Sequence, residues 1–272
     1  MSSGLHNYSD DLPFNELLDT KRQKVWQPEE LVVLGLAGAP YFAPGEGFHY
    51  SNTNTILIAL IVEQLTGQAL ADVFAERIFT PLGLTEVVFP AIDDASIPEP
   101  HPTGYMFGTN VSTFKTAVLS DADQKAALAG TLLPNDYSDL NPSWAWAAGA
   151  ALATAGQLAD YVEALVGGGL LEPAIQEERL ASLKPTTDQP EAASYGLALA
   201  KFGPFIGHDG TLPGYQSFMG YDPITESTLI VFTNLNLAPD GLETANLIAI
   251  DIIGLLLSSS PAEATPEATP IS

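Results

Sequence analysis

Two short runs carry the side chains best suited to chemistry, Tyr50-Ser51-Asn52 and His208-Asp209-Gly210-Thr211. A phenol can give or take a proton, an imidazole changes charge near neutral pH, and a carboxamide can orient an amide or ester. An unperturbed tyrosine has a pKa of about 10, so Tyr50 can move protons near neutrality only beside a cation. Acyl transfer by a serine needs a base for the hydroxyl proton, donors for the oxyanion and an acid for the leaving group. The two runs hold proton carriers but no nucleophile: in the 49 residues before Tyr50, no Ser stands three places ahead of a Lys. Taken alone, Tyr50 and Asn52 also read as a capped helix start, with Asn52 or Asn54 at the N-cap.

The remaining candidates are weaker. Ser112-Thr-Phe-Lys115 is a Ser-x-x-Lys string, but a chain of this composition yields about 0.4 such matches by chance. It follows Tyr50, and its stretch reads as loop, whereas chemistry would need a helix that puts both groups on one face. It is read as having no catalytic role. His49 points elsewhere along the extended segment that ends in Tyr50, and His6 and His101 fall in polar loops. No pair has metal-ligand spacing, and Asp93-Asp94 reads as a solvated turn. Gly167-Gly-Gly169 lacks the Lys and the preceding strand of a phosphate loop. No metal or cofactor is expected. Trp144 and Trp146 either line a cleft or fill the core.

The order of the motifs says more than any one of them. Phe42-Ala-Pro-Gly-Glu-Gly-Phe-His-Tyr-Ser-Asn-Thr-Asn54 is followed by Glu63-Gln-Leu-Thr-Gly67 and Arg77-Ile-Phe-Thr-Pro-Leu-Gly-Leu84. Then come Gly104-Tyr105, Ala147-Ala-Gly149, Tyr195-Gly196 and Gly207-His-Asp-Gly-Thr-Leu-Pro-Gly-Tyr215. From about Ser3 to the last apolar helix, this series resembles the serine β-lactamase-like hydrolases. That family includes D-alanyl-D-alanine carboxypeptidases, class C β-lactamases, D-aminopeptidases and related esterases.

The resemblance implies a proton-transfer role for Tyr50, substrate orientation for Asn52, and a part for His208 in the electrostatics around the nucleophile. It also implies that Gly210 lets substrate approach the strand and that the Thr211 N–H lies near the oxyanion. Asp209, where a substrate carboxylate would sit, argues for a neutral or cationic substrate. The family nucleophile is the Ser of a Ser-x-x-Lys upstream of Tyr-x-Asn, and Met1-Ser-Ser-Gly-Leu5 resembles the Ser-Gly-Leu stretch that follows the nucleophile helix. The expectation is therefore an N-terminally truncated serine hydrolase acting on an ester, amide or peptide bond, nearly inactive alone. The alternatives are a compact variant with another nucleophile, a non-catalytic binding module, and one half of a split protein completed by an N-terminal segment.

The elements that must position these residues follow from periodicity. Ile56, Leu57, Leu60, Ile61 and Leu65 repeat at helical spacing after Asn54, and Gly67 stops that helix. A second helix is expected over Ala69–Phe79, with Leu70, Val73, Phe74 and Ile78 inward and Pro81 ending it. Ala91–Tyr105 reads as loop. Thr154-Ala-Gly-Gln157 opens a helix through Leu165 with a capping-box pattern. Strands are expected at Tyr195–Phe202, Ser217–Tyr221 and Thr228–Thr233, with a helix over Leu242–Leu257 covering one face. Helices followed by consecutive strands on short turns make an α+β fold with an antiparallel sheet. The resemblance implies a helical subdomain beside a helix-covered sheet, with the site in the cleft between them. On that template the sheet is left with an unpaired edge.

Composition sets the outer limits. With 272 residues, 46% of them hydrophobic, the chain has ample material for a core. No cysteine is present, which excludes disulfides and thiol nucleophiles. Nine basic against 33 acidic residues give a net charge of −24, a field that repels nucleic acid and anionic lipid. No apolar run reaches the roughly 20 residues of a spanning helix, and no export signal precedes Met1. A small-molecule or peptide substrate is the expected partner, and the resemblance implies an extracytoplasmic setting for the full-length protein. Residues 1–257 read as the partial hydrolase domain and Ser258–Ser272, rich in Pro, Thr and Glu, as a tail or linker.

Overall fold

The computed structural model describes residues 1–187 and 193–259. Its first half is helical. A 3-10 turn at Tyr8–Asp10 leads into α1 (Leu12–Thr20), α2 (Pro28–Ala37) and α3 (Asn52–Thr66). Next come α4 (Leu70–Phe74), a π turn (Ala75–Phe79) and α5 (Thr80–Leu82). Strand β1 (Tyr105–Met106) pairs with β2 (Asn135–Asp136), and α6 (Asn110–Lys115) and α7 (Asp121–Leu128) lie between them. Helices α8 (Ala155–Gly167) and α9 (Pro173–Ala181) precede the main sheet. That sheet is an antiparallel meander of β3 (Lys184–Pro185), β4 (Ser194–Tyr195), β5 (Ala200–Phe202), β6 (Phe205–Leu212), β7 (Tyr215–Asp222) and β8 (Ser227–Thr233), in sequence order. Helix α10 (Thr244–Ser259) closes the described chain.

Three apolar clusters hold this together. In the helical part, Tyr8, Phe14, Trp26, Leu31, Ile56, Trp144 and Trp146 form one core. Phe14 lies 5.3 Å from Tyr8 and 4.9 Å from Trp26 between ring centroids, and the Tyr8 hydroxyl donates to the Trp144 carbonyl at 2.8 Å. Trp144 and Trp146 are thus core residues rather than cleft walls. On one face of the sheet, Phe205, Phe218 and Val231 pack against Ala245, Ala249 and Ile253 of α10. On the other, Ile206 packs with Val162, Leu165 and Val166 of α8. Each large side chain buried this way contributes about 1.5–3 kcal/mol.

The α+β arrangement and the helix over the sheet match the sequence expectation, and Gly67 ends α3 in a left-handed conformation (φ 69°). Four local readings need correction. The second helix does not stop at Pro81: a π turn precedes α5, and Gly83 (φ 68°) ends the run. A proline cannot donate to the carbonyl one turn back, and a widened turn accommodates that lost bond without breaking the helix. The expected strand Tyr195–Phe202 is two strands, parted by a turn over residues 196–199. The Ser112–Lys115 stretch is helical, as part of α6. Finally, α8 carries only half of a capping box: Thr154 accepts from the Gln157 N–H, while the Gln157 side chain turns to Glu86 and Thr85. Helix α10 runs to Ser259, and the rest of the expected tail, residues 260–272, lies outside the described residues.

Candidate active site

Tyr50 ends the extended segment that enters α3, and its direction is set by the N-terminal segment. The α3 N-cap position is Ser51, not Asn52 or Asn54, and Ser51 makes no side-chain capping bond of its own. Instead the Asn7 carboxamide oxygen accepts the Asn52 N–H at 3.0 Å. The Ser51 and Thr53 hydroxyls both donate to the His6 carbonyl, at 3.2 and 2.7 Å. Both residues are fully buried, so the helix start is locked to residues 6–8. The carboxamide nitrogen of Asn52 donates to the Ser9 hydroxyl at 3.1 Å, so its hydrogen bonds run to the N-terminal segment. His49 stacks on Tyr41, with ring centroids 3.5 Å apart and planes at 14°. It is turned away from the site, as expected.

His208 arrives from the opposite side, on β6. The register pairs His208 with Met219, Asp209 with Phe218, Gly210 with Ser217 and Thr211 with Gln216. Asp209 and Thr211 reach the α10 side of the sheet, where the Asn246 amide donates to Asp209 at 2.7 Å and the Thr211 hydroxyl to Glu243 at 3.2 Å. By strand alternation His208 and Gly210 face the other way, on the side of Ile206 and α8. Pro213-Gly214 forms a two-residue turn closed by Leu212 and Tyr215. In that register the N–H groups of even-numbered β6 residues point to β7, and those of Asp209 and Thr211 point away from it. On that side β5 has already ended, with Ala200 opposite Gly207. A Cβ on Gly210 would stand 2.7 Å from the Ser217 hydroxyl, so the glycine is fixed at least in part by its cross-strand neighbour.

Tyr50 and His208 meet with ring centroids 6.1 Å apart. Tyr195, at the end of β4, makes the third corner of a triangle with them, 6.0 Å from Tyr50 and 5.5 Å from His208. Its hydroxyl lies 2.9 Å from His208 Nε2. Phe48 packs 5.5 Å from Tyr195 and completes an aromatic wall. Tyr50 keeps 38% of its surface exposed, so a substrate can reach it. Burial and then the Asp209 carboxylate push the Tyr50 phenol above its ordinary value, and no cation among the described residues opposes them. The phenol is held protonated, which is the opposite of what a general base requires. Tyr195 is raised as well, by burial and by Tyr50 and Asp209.

Ser112 does not belong to this constellation. Its hydroxyl accepts the Thr109 N–H at 2.7 Å, and its own N–H donates to Thr109 Oγ1, a reciprocal cap at the start of α6. Among the described residues no group of three or more His, Asp or Glu is placed to hold a metal ion. Nor is any single helix long and apolar enough to cross a membrane, and the one pair that passes by length and composition, Asn52–Thr66 with Leu70–Leu82, is bent by 83°.

Tyr195 is the residue that motif reading left without a role. It is visible in the sequence as Tyr195-Gly196, but a continuous strand there hid the turn that returns it to His208. Gly196 explains why the pair is Tyr-Gly. A Cβ on it would lie 2.4 Å from the Ser182 hydroxyl and 3.0 Å from the Leu183 nitrogen, where the chain crosses the end of α9.

A helical subdomain against a helix-covered antiparallel sheet, with a tyrosine from a helix start facing a histidine on a strand, defines the serine β-lactamase-like class. The chain belongs to the Beta-lactamase family, whose model matches residues 1–251. Among its relatives is penicillin-binding protein 4* of Bacillus subtilis (strain 168), 26% identical over 204 residues, which are 74% of this chain and 42% of that protein. The D-aminopeptidase of Brucella ovis is 48% identical over 44 residues, 16% of this chain and 8% of that enzyme. The chain thus spans less than half the length of these curated relatives. Among solved structures, the D-stereospecific amidohydrolase from Streptomyces sp. superposes with a TM-score of 0.76 at 25% identity, covering 91% of this chain and 68% of that one.

Proposed function

We propose that residues 1–257 are the Tyr50- and His208-bearing part of a serine hydrolase that cleaves an amide, ester or peptide bond through an acyl-enzyme. The observation that carries this is the convergence of Tyr50 and His208, 6.1 Å apart, where β6 runs on past its pairing with β5. In the complete reaction a cation beside Tyr50 would hold it as the phenolate, and a serine oxygen attacks the substrate carbonyl while passing its proton to that phenolate oxygen. The Thr211 N–H receives the oxyanion, and Tyr50 returns the proton to the departing amine or alcohol. Water then attacks the acyl-serine by the same route in reverse. Asn52 is proposed to orient the substrate once its amide leaves the Ser9 hydroxyl, and Asp209, bonded to Asn246 on the α10 side, to favour a neutral or cationic substrate through its charge. The proposed tail or linker over residues 258–272 then begins inside the last turn of α10, which runs to Ser259.

The nucleophile is the missing part. Tyr50 is raised rather than lowered, the state expected of a phenol without the Lys of a Ser-x-x-Lys pair beside it. The chain alone is therefore proposed to be nearly inactive, and to be completed by a segment carrying that pair. Two surfaces support such a segment. Strand β8 has β7 on one side and no strand on the other among the described residues. Ile58, Ile61 and Leu65 of α3 and Ile250, Leu255 and Leu257 of α10 are all more than half exposed. An extracytoplasmic setting for the whole protein is part of the same proposal.

The reading is tested with a chromogenic ester and an amino-acid anilide, each presented to the purified chain alone and to the chain fused behind a relative's Ser-x-x-Lys segment. Turnover is expected only in the fusion, and Tyr50→Phe should lower it by about 10²–10⁴-fold. Fusion activity indifferent to Tyr50→Phe would remove Tyr50 from the mechanism. A non-catalytic binding module remains the second reading, favoured by the protonated Tyr50. It predicts ligand-induced stabilisation with no turnover in either protein.

A further inference from the structure

His208 is held at both ring nitrogens. Nδ1 lies 2.5 Å from the backbone carbonyl oxygen of its neighbour Asp209, an atom that can only accept. Nδ1 must therefore carry a proton. Nε2 lies 2.9 Å from the Tyr195 hydroxyl. In the neutral ring Nε2 is a bare lone pair, so Tyr195 must be the donor. Burial raises the Tyr195 phenol above its ordinary value, which keeps the proton it needs to donate.

We propose that Tyr195 is the positioning residue of this site: its hydroxyl, working against the Asp209 carbonyl, fixes the His208 imidazole in the Nδ1–H tautomer and in one orientation. The proposal deepens the hydrolase reading, because it says what His208 can do there. With Nδ1 donating to the backbone and Nε2 filled by Tyr195, neither ring nitrogen is free to exchange a proton with Tyr50 or a substrate. His208 then acts as a fixed dipole that orients the Tyr195 phenol, and Tyr50 is left as the proton carrier. The support for Tyr195 is itself built in. Gly196 lets β4 close onto Ser182 and Leu183, and Arg179 donates to the Leu197 carbonyl at 3.0 Å and to that of Ala198 at 3.4 Å, pinning the turn behind Tyr195.

The groups that face His208 are Tyr195 from β4, Tyr50 from the entry to α3 and Asp209 on its own strand, whose carboxylate stands 3.7 Å from Nδ1. The test is ¹⁵N NMR of the histidine rings of this chain, well above the usual imidazole pKa of about 6.5 so that the rings are neutral. The chain has four histidines, so His208 can be assigned by its loss in His208→Gln. The proposal expects a protonated Nδ1 and a bare Nε2, with well-separated ring ¹⁵N shifts. Tyr195→Phe keeps the ring against Phe48 and Tyr50 and removes only the hydroxyl. It should bring the two shifts towards each other as the tautomers mix, with His6, His49 and His101 unmoved. A wild-type Nε2–H tautomer, or a pattern unchanged in Tyr195→Phe, would overturn the proposal. A wild-type Nε2–H tautomer overturns it even if the variant folds poorly. Because the readout does not depend on turnover, either result leaves the hydrolase reading to be judged by its own experiment.

Discussion

At the scale of single residues, a carboxylate far from chemistry holds a part of the frame in place. Asp19 accepts the N–H groups of Asn110 and Val111 at 2.8 and 3.0 Å, the Asn110 amide at 2.8 Å and the Tyr137 hydroxyl at 3.1 Å. Burial works to raise its pKa, but these four hydrogen bonds outweigh burial and hold it below the ordinary value. Tyr137 moves the other way, pushed up to about 12 by burial and by Asp19. A carboxyl with a depressed folded pKa contributes stability that is complete above the unfolded value of about 3.9 and fades as pH falls through the folded one. Asp19→Asn should therefore lower the urea midpoint at pH 7 and flatten its decline below about pH 4. Parallel midpoint-against-pH curves for the two proteins would show that Asp19 does not act this way. The same anchor fixes the start of α6, where Ser112 forms its reciprocal cap with Thr109.

At the scale of elements, period and punctuation were legible where one helix or strand decides its own course. The α3 stop at Gly67 and the Thr154 cap stand where spacing placed them, and the apolar run of α10 is helical over Thr244–Ser259, two residues later than the expected Leu242–Leu257. What escaped depends on partners distant in sequence. The α3 cap is Asn7, 45 residues away, which no local pattern announces. The break between β4 and β5 is made by the end of α9 and by Arg179, so Tyr195 looked like the start of a longer strand. The site was half legible for the same reason. Tyr50 and His208 could be named from motif order, whereas the Tyr195 contact needs the turn that the α9 packing imposes. Gly196→Ala tests that dependence. Its Cβ would meet the Ser182 hydroxyl and the Leu183 backbone, and crowding of this kind costs about 1–3 kcal/mol. The variant should lose thermal stability and also disturb the His208 ring signals; loss of stability with an untouched His208 would uncouple the turn from the site.

At the scale of the whole molecule, two features belong together. The net charge of −24 keeps the surface soluble but repels itself, while α3, α10 and the outer edge of β8 present apolar and unpaired surface. A segment that covered those faces and delivered a serine and a lysine beside Tyr50 would account for both the surface and the raised phenol. The most direct measurement is the intact mass of the purified chain after incubation with a serine-reactive acylating or phosphonylating probe. The proposal that the nucleophile lies on a separate segment predicts no adduct on this chain, and a stoichiometric adduct once a Ser-x-x-Lys segment is joined to it. A stoichiometric adduct on a serine of the chain alone, Ser9 or Ser112 for example, would contradict it and place the nucleophile within these 272 residues.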